Sequence, residues 1–172
     1  MRHGYDILTA TAIWQYVYDK QAARERSHMI STETLIKTLG GPTVLKRGIA
    51  TLQDLHRLVE AGLPYAALEK IMQRFQLGRG EVEFLLQVPA RTMARRKQSR
   101  RLHRDESDRL MRLARLAAQA TQVFGAEEKA ATWLHRPNRA LGQAIPLHLL
   151  GTDVGAKQVE ELLGRIEHGV IS

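Results

Sequence analysis

What limits this chain most is the recurrence of short apolar stripes at helical spacing, most of them closed by Gly or Pro. Few segments favour strand, so the pattern predicts an all-α fold. Thr51 followed by Asp54 resembles a capping box, Leu52, Leu55, Leu58 and Val59 form a stripe, and Gly62 is placed to end that helix. Pro64 suits a first helical position, and Leu68, Ile71, Met72 and Phe75 then repeat until the break at Leu77 and Gly78. A third helix is expected over about 79–86 with Val82, Leu85 and Leu86 inward. Gln87, Val88 and Pro89 make a turn, and Pro89 opens a fourth helix that runs to about Lys97. A longer helix over about 105–124 carries Asp105, Glu106 and Asp108 in its first turn, where the helix dipole favours acids, and Gly125 stops it. Further helices are expected over about 127–135 and 156–167, with a turn at 146–150 between them. Gly164 weakens the last of these by about 1 kcal/mol relative to Ala, so packing must hold it.

A length of 172 residues at 44% hydrophobic allows one sizeable core or two small helical domains. Aromatic residues are few, so that core should be built from Leu, Ala, Val and Ile. The absence of cysteine excludes disulfides and thiolate metal sites and fits a reducing cytoplasm. No apolar run approaches the roughly 18 residues that span a bilayer, and the first residues lack a small-residue cleavage site. A cytoplasmic protein with no membrane partner is expected. Residues 1–30 hold Tyr5, Trp14, Tyr16 and Tyr18 without an amphipathic stripe and read as a variable or poorly ordered segment. Met29 is a second candidate start, because Arg24-Glu25-Arg26 could be encoded by a purine-rich ribosome-binding sequence.

Charge is concentrated rather than spread. Residues 77–125 hold eleven Lys or Arg against five acids and so supply +6 of the net +8. Within them, 90–104 holds seven Lys or Arg and no acid. Clustered cations of this kind neutralise phosphates with release of counterions, whereas a solvated helix face is the alternative reading. Two short helices joined by a tight turn, the second lying within the cluster, suggest a helix-turn-helix at about 79–97. Val82, Leu85, Leu86, Val88 and Met93 would pack the pair, leaving Arg91, Thr92, Arg95 and Arg96 to face outward. Arg91 and Arg95 are four apart and share a face, and arginine can fork to guanine O6 and N7. Arg91, Thr92 and Arg95 are therefore expected on bases of double-stranded DNA, with Arg96, Lys97, Arg100 and Arg101 mainly on phosphates. Two positions depart from the usual motif. Gln87 stands where a left-handed turn favours Gly, and Glu83, where a small residue is usual, must point to solvent.

No chemistry of another kind emerges. The seven histidines include no pair at the helical metal spacing, no phosphate loop surrounds Gly78-Arg79-Gly80, and Glu160 and Glu161 diverge by about 100° on a helix. Neither a catalytic set, a metal site nor a cofactor is expected. The tail Val170-Ile171-Ser172 is apolar after a Gly and suits insertion into a partner's cleft, or folding back on its own core.

From about Gly62 to Ser172 the chain resembles the Xre/MbcA/ParS family of antitoxins that pair with RES-domain toxins. The resemblance lies in the basic run with the helix after it, 90–116, and more specifically in 123–170. There Phe124-Gly125, Trp133-Leu134, Pro137-Asn138, Ala140-Leu141-Gly142, Pro146-Leu147, Gly155, Gly164-Arg165-Ile166 and His168-Gly169-Val170 fall in family register. It implies an antitoxin, not an enzyme, with an Xre-like DNA-binding region at 31–104 and a dimerisation and toxin-binding region at 105–172. It further implies a homodimer that covers the cleft of an NAD-consuming RES-domain toxin and represses the shared operon by binding operator DNA. The toxin-facing residues it implies are Val159, Glu160, Leu163, Arg165, Ile166, Glu167, His168, Gly169, Val170 and Ile171. The alternative is a stand-alone transcription regulator whose C-terminal region only dimerises.

Overall fold

Short-range signals set most of the helix ends. The structure, a computed structural model, describes residues 30–45 and 48–169. Ser31 Oγ accepts the Thr34 N–H at 3.1 Å and opens α1 (Thr32–Thr38), which the single turn α2 (Pro42–Leu45) follows. At the head of α3 (Leu52–Ala61), Thr51 Oγ1 accepts the Asp54 N–H at 3.1 Å while the Asp54 carboxylate accepts the Thr51 N–H at 3.0 Å. This is the reciprocal box expected from the sequence. Gly62 closes α3 at φ 91°, and a Cβ there would fall on the carbonyl oxygen of Leu102, so glycine is required on both counts.

Pro64 then caps α4 (Tyr65–Phe75), and α5 (Arg79–Leu86), α6 (Ala90–Ser99) and α7 (Arg104–Phe124) follow after tight turns. Beyond Gly125 come α8 (Glu127–Leu134), a 3-10 turn at Arg139–Leu141, α9 (Pro146–Leu149) and α10 (Asp153–Glu167). The fold is all-α: among the described residues, extended pairing is limited to the isolated bridges Pro64 with Arg101 and Asn138 with Ala144. Three helices differ from expectation. Residues 31–50 carried no helix assignment yet form α1 and α2, and α10 starts three residues early because Thr152 Oγ1 accepts the Gly155 N–H at 3.1 Å.

The long helix α7 is the spine. It packs against α1, α3, α4, α5, α8 and α10, and buries Leu110, Leu113, Ala114, Leu116, Ala117, Ala118 and Ala120. A helix buried around most of its girth belongs at the centre of a domain, and its small alanines let neighbours approach from several sides. Leu63, Leu68, Ile71, Phe75, Leu86, Leu102, Leu134 and Leu147 complete a mostly aliphatic core. Arg74 stitches three elements together: its Nε donates to Glu127 on α8 at 2.9 Å, and its Nη1 to the carbonyls of Lys37 and Thr38 at the end of α1. The expected division between 31–104 and 105–172 is therefore not a break in packing. The described residues from Ser31 to Gly169 form one compact unit, because α7 serves both sides. The expectations for residues 1–29, including Met29 as a start, lie outside the described residues.

Candidate functional site

The basic cluster is displayed by a helix-turn-helix. α5 and α6 are held together by buried Val82, Leu85, Leu86, Val88 and Met93, the five residues expected to do so. Between them Gln87 sits in the left-handed region at φ 53°, ψ 46°, and its N–H reaches the carbonyl of Phe84 at 3.2 Å. Pro89 then sets the entry into α6, where the N–H groups of Thr92 and Met93 reach its carbonyl. No side chain caps α6 and no acid lies in its first turn, so the positive end of its dipole stands uncovered beside Arg91. Arg91 and Arg95 are exposed on one face, and neither makes an ion pair among the described residues. Thr92 is half-buried at the edge of that face.

Arg96 is a correction. It was expected outward on phosphate, but it is 7% exposed, and its Nε donates to both carboxylate oxygens of Glu106 at 2.9 and 2.8 Å. The reason is helical phase: Arg96 follows Met93 by three positions and so shares its inward face. Glu106 also accepts the His103 N–H at 2.8 Å, which caps α7. Burial pushes the Glu106 carboxyl up, but the bonds from Arg96 and His103 outweigh it and hold the group below its ordinary range. Arg96 thus fastens α6 to α7 rather than facing a ligand.

The end of α6 is fixed by backbone pairing. Arg100 takes the left-handed conformation at φ 57°, its carbonyl accepts the Tyr65 N–H at 3.0 Å, and the Leu102 N–H reaches the Leu63 carbonyl at 2.9 Å. Ser107 Oγ in turn accepts the Leu63 N–H at 2.8 Å. Lys97, Arg100 and Arg101 are exposed around this end. Lys97 lies 3.2 Å from Glu69 and Arg104 lies 3.0 Å from Glu60, pairs open enough to water that a phosphate can compete for the cation. Exposed cations thus stand at both ends of α6, Arg91 and Arg95 toward its start and Lys97, Arg100 and Arg101 around its end.

The second candidate surface is the last helix. Val159 and Leu163, expected on a partner, are fully buried with Ala156 and Leu162 as the stripe that α10 lays on its own core. They are corrected to core residues, because they lie four apart on the apolar stripe that an amphipathic helix turns to the core. Glu160, Ile166 and Glu167 are half-buried, and the Glu167 carboxylate accepts from Gln122 on α7 at 3.2 Å. Arg165, His168 and Gly169 are exposed. Val170 and Ile171 lie outside the described residues.

A helix-turn-helix with a cation-bearing second helix, built on a helical spine that carries a further C-terminal helix layer, defines a DNA-binding protein of the helix-turn-helix class. Residues 54–115 match the model of the antitoxin Xre-like helix-turn-helix domain, and residues 119–169 that of the antitoxin Xre/MbcA/ParS C-terminal toxin-binding domain. The chain is 33% identical over 148 residues to "Antitoxin Xre" of Photorhabdus laumondii, covering 85% of this chain and 96% of that protein. It is 33% identical over 143 residues to "Antitoxin Xre" of Yersinia enterocolitica, covering 82% and 93% of the two chains. It is 35% identical over 117 residues to that of Pseudomonas putida, covering 67% and 72%. The chain belongs to the Xre antitoxin family. The two family domains meet inside α7, which is why their boundary leaves no gap in the packing. Among the described residues no helix is long and apolar enough to cross a membrane.

Sequence reasoning missed two residues that shape these surfaces. Glu106 reads from sequence as a dipole acid, although its place three residues after His103 marks a capping position. Gln87 was read only as a poor turn residue, and no local signal points to its partner 64 residues later.

Proposed function

We propose that this chain is the antitoxin of a RES-domain toxin that consumes NAD, acting by binding rather than catalysis, in the cytoplasm and as a homodimer. The end of α10, through Glu160, Arg165, Ile166, Glu167, His168 and Gly169 with Val170 and Ile171, covers the toxin's cleft. Arg91, Thr92 and Arg95 read bases of the operator, and Lys97, Arg100 and Arg101 hold its phosphates, so that the complex represses its own operon. The observation that carries this reading is the division of α10. Its Val159 and Leu163 side anchors it to the core, while Arg165, His168 and Gly169 remain exposed at its end, where the matched toxin-binding domain finishes. The deciding experiment coexpresses the product of the adjacent gene with this chain and follows growth. Full-length protein should restore growth and a variant lacking 169–172 should not. Rescue by the truncated form would remove the role given to the tail, and no rescue by either would leave a stand-alone regulator.

A further inference from the structure

One junction joins the DNA-reading turn to the segment that opens α10. Gln87 holds a backbone conformation that favours glycine, and its side chain is used elsewhere: Nε2 donates to the Gly151 carbonyl at 3.0 Å. Gly151 is itself constrained, because a Cβ there would lie 2.9 Å from the ring of Phe84. Phe84 stands on α5, three residues before Gln87; the residue is 52% exposed and its ring meets that of His148 in a T-shaped arrangement with centroids 6.2 Å apart. Directly after Gly151, Thr152 caps α10. The spine clamps both sides of the junction with residues three apart on α7. Arg109 donates to the Leu86 carbonyl at the end of α5 at 3.1 Å, and Arg112 reaches the first residue of α10, Asp153, at 2.7 Å.

We propose that Gln87 and Phe84 are positioning residues, through which the 148–153 turn sets the angle of α6 on DNA and through which occupancy of α10 is felt at the DNA face. None of these side chains is among those expected on nucleic acid, and the turn itself would be better served by glycine at 87. What glycine cannot supply is the bond to Gly151. Because coupling between two sites is reciprocal, DNA on α6 must also alter the 148–153 turn, which allows a test without any toxin. Only the clause on occupancy of α10 rests on the proposed antitoxin reading.

The test uses the full chain, Gln87→Gly, and two probes, a duplex of the sequence upstream of its own gene and a scrambled duplex. Relief of the left-handed strain offsets the lost hydrogen bond, so the melting temperature should move by about 3 °C or less. In the wild type, adding duplex should change amide exchange at 149–155, and in the variant that change should vanish. The ratio of affinities for the two duplexes should fall about fivefold or more. Phe84→Leu, which keeps an apolar side chain, should shift both readouts in the same direction and decides the matter if Gln87→Gly folds poorly. Unaltered exchange response and unaltered discrimination in a folded variant would overturn the proposal. A wild type that binds both duplexes equally would count against operator reading instead, and the exchange readout, which needs only bound duplex, would still judge the junction.

Discussion

Arg96 and Glu106 show how a cation inside a basic run can belong to the core. Each is nearly buried, and removing one partner leaves the other charged and uncompensated. Arg96→Ala should therefore cost about 3–5 kcal/mol in urea unfolding, far more than truncating the exposed Arg95. Acid dependence follows from the depressed carboxyl of Glu106. Its contribution is full above the ordinary value of 4.5 and is lost as pH falls below that through the lower folded value. Stability measured from pH 6 downward should fall in that range, and the double variant Arg96→Met with Glu106→Leu should flatten the fall. An equally steep loss in the double variant would show that other carboxylates, such as Glu127 beside Arg74, govern it.

At the scale of the element, α6 divides its cations by helical phase. Arg91→Ala should relax preference at one base pair, whereas Arg100→Ala or Arg101→Ala should weaken binding to all duplexes and lower the salt slope by about one. Arg96→Met should leave that slope unchanged, and titration of Kd against salt separates the three cases. The α3 to α8 succession was legible because capping pairs, Gly stops and Leu stripes all pointed the same way, as at Thr51, Asp54 and Gly62. Helices α1 and α2 were not, since seven and four residues give too short a period to read. The candidate surfaces were legible as segments but not as faces. Arg96 inside the basic run, like Val159 and Leu163 inside α10, belongs to a stretch whose composition points outward although its own helical phase points inward. The spacing of three from Met93, and of four between Val159 and Leu163, already marked them as inward. The partner of Gln87 could not be read at all, because that contact exists only once the chain has folded back over 64 residues.

At the scale of the whole molecule, one spine serves both functions. Leu110 is fully buried on α7, where that helix leaves the helix-turn-helix. Leu110→Ala should cost about 2–5 kcal/mol, and because α7 is shared, probes on α6 and on α10 should report one common transition. Two separated transitions would instead mean that the halves unfold independently. The shared spine also fits a protein in which toxin capture and DNA reading are parts of one regulatory act. The proposed neutralisation of an NAD-consuming toxin is tested most directly by cellular NAD in cells expressing the adjacent gene, alone or with this chain. NAD should fall with the gene alone and be restored by the full-length chain. NAD that stays level in the first case, or stays depleted in the second, would contradict it.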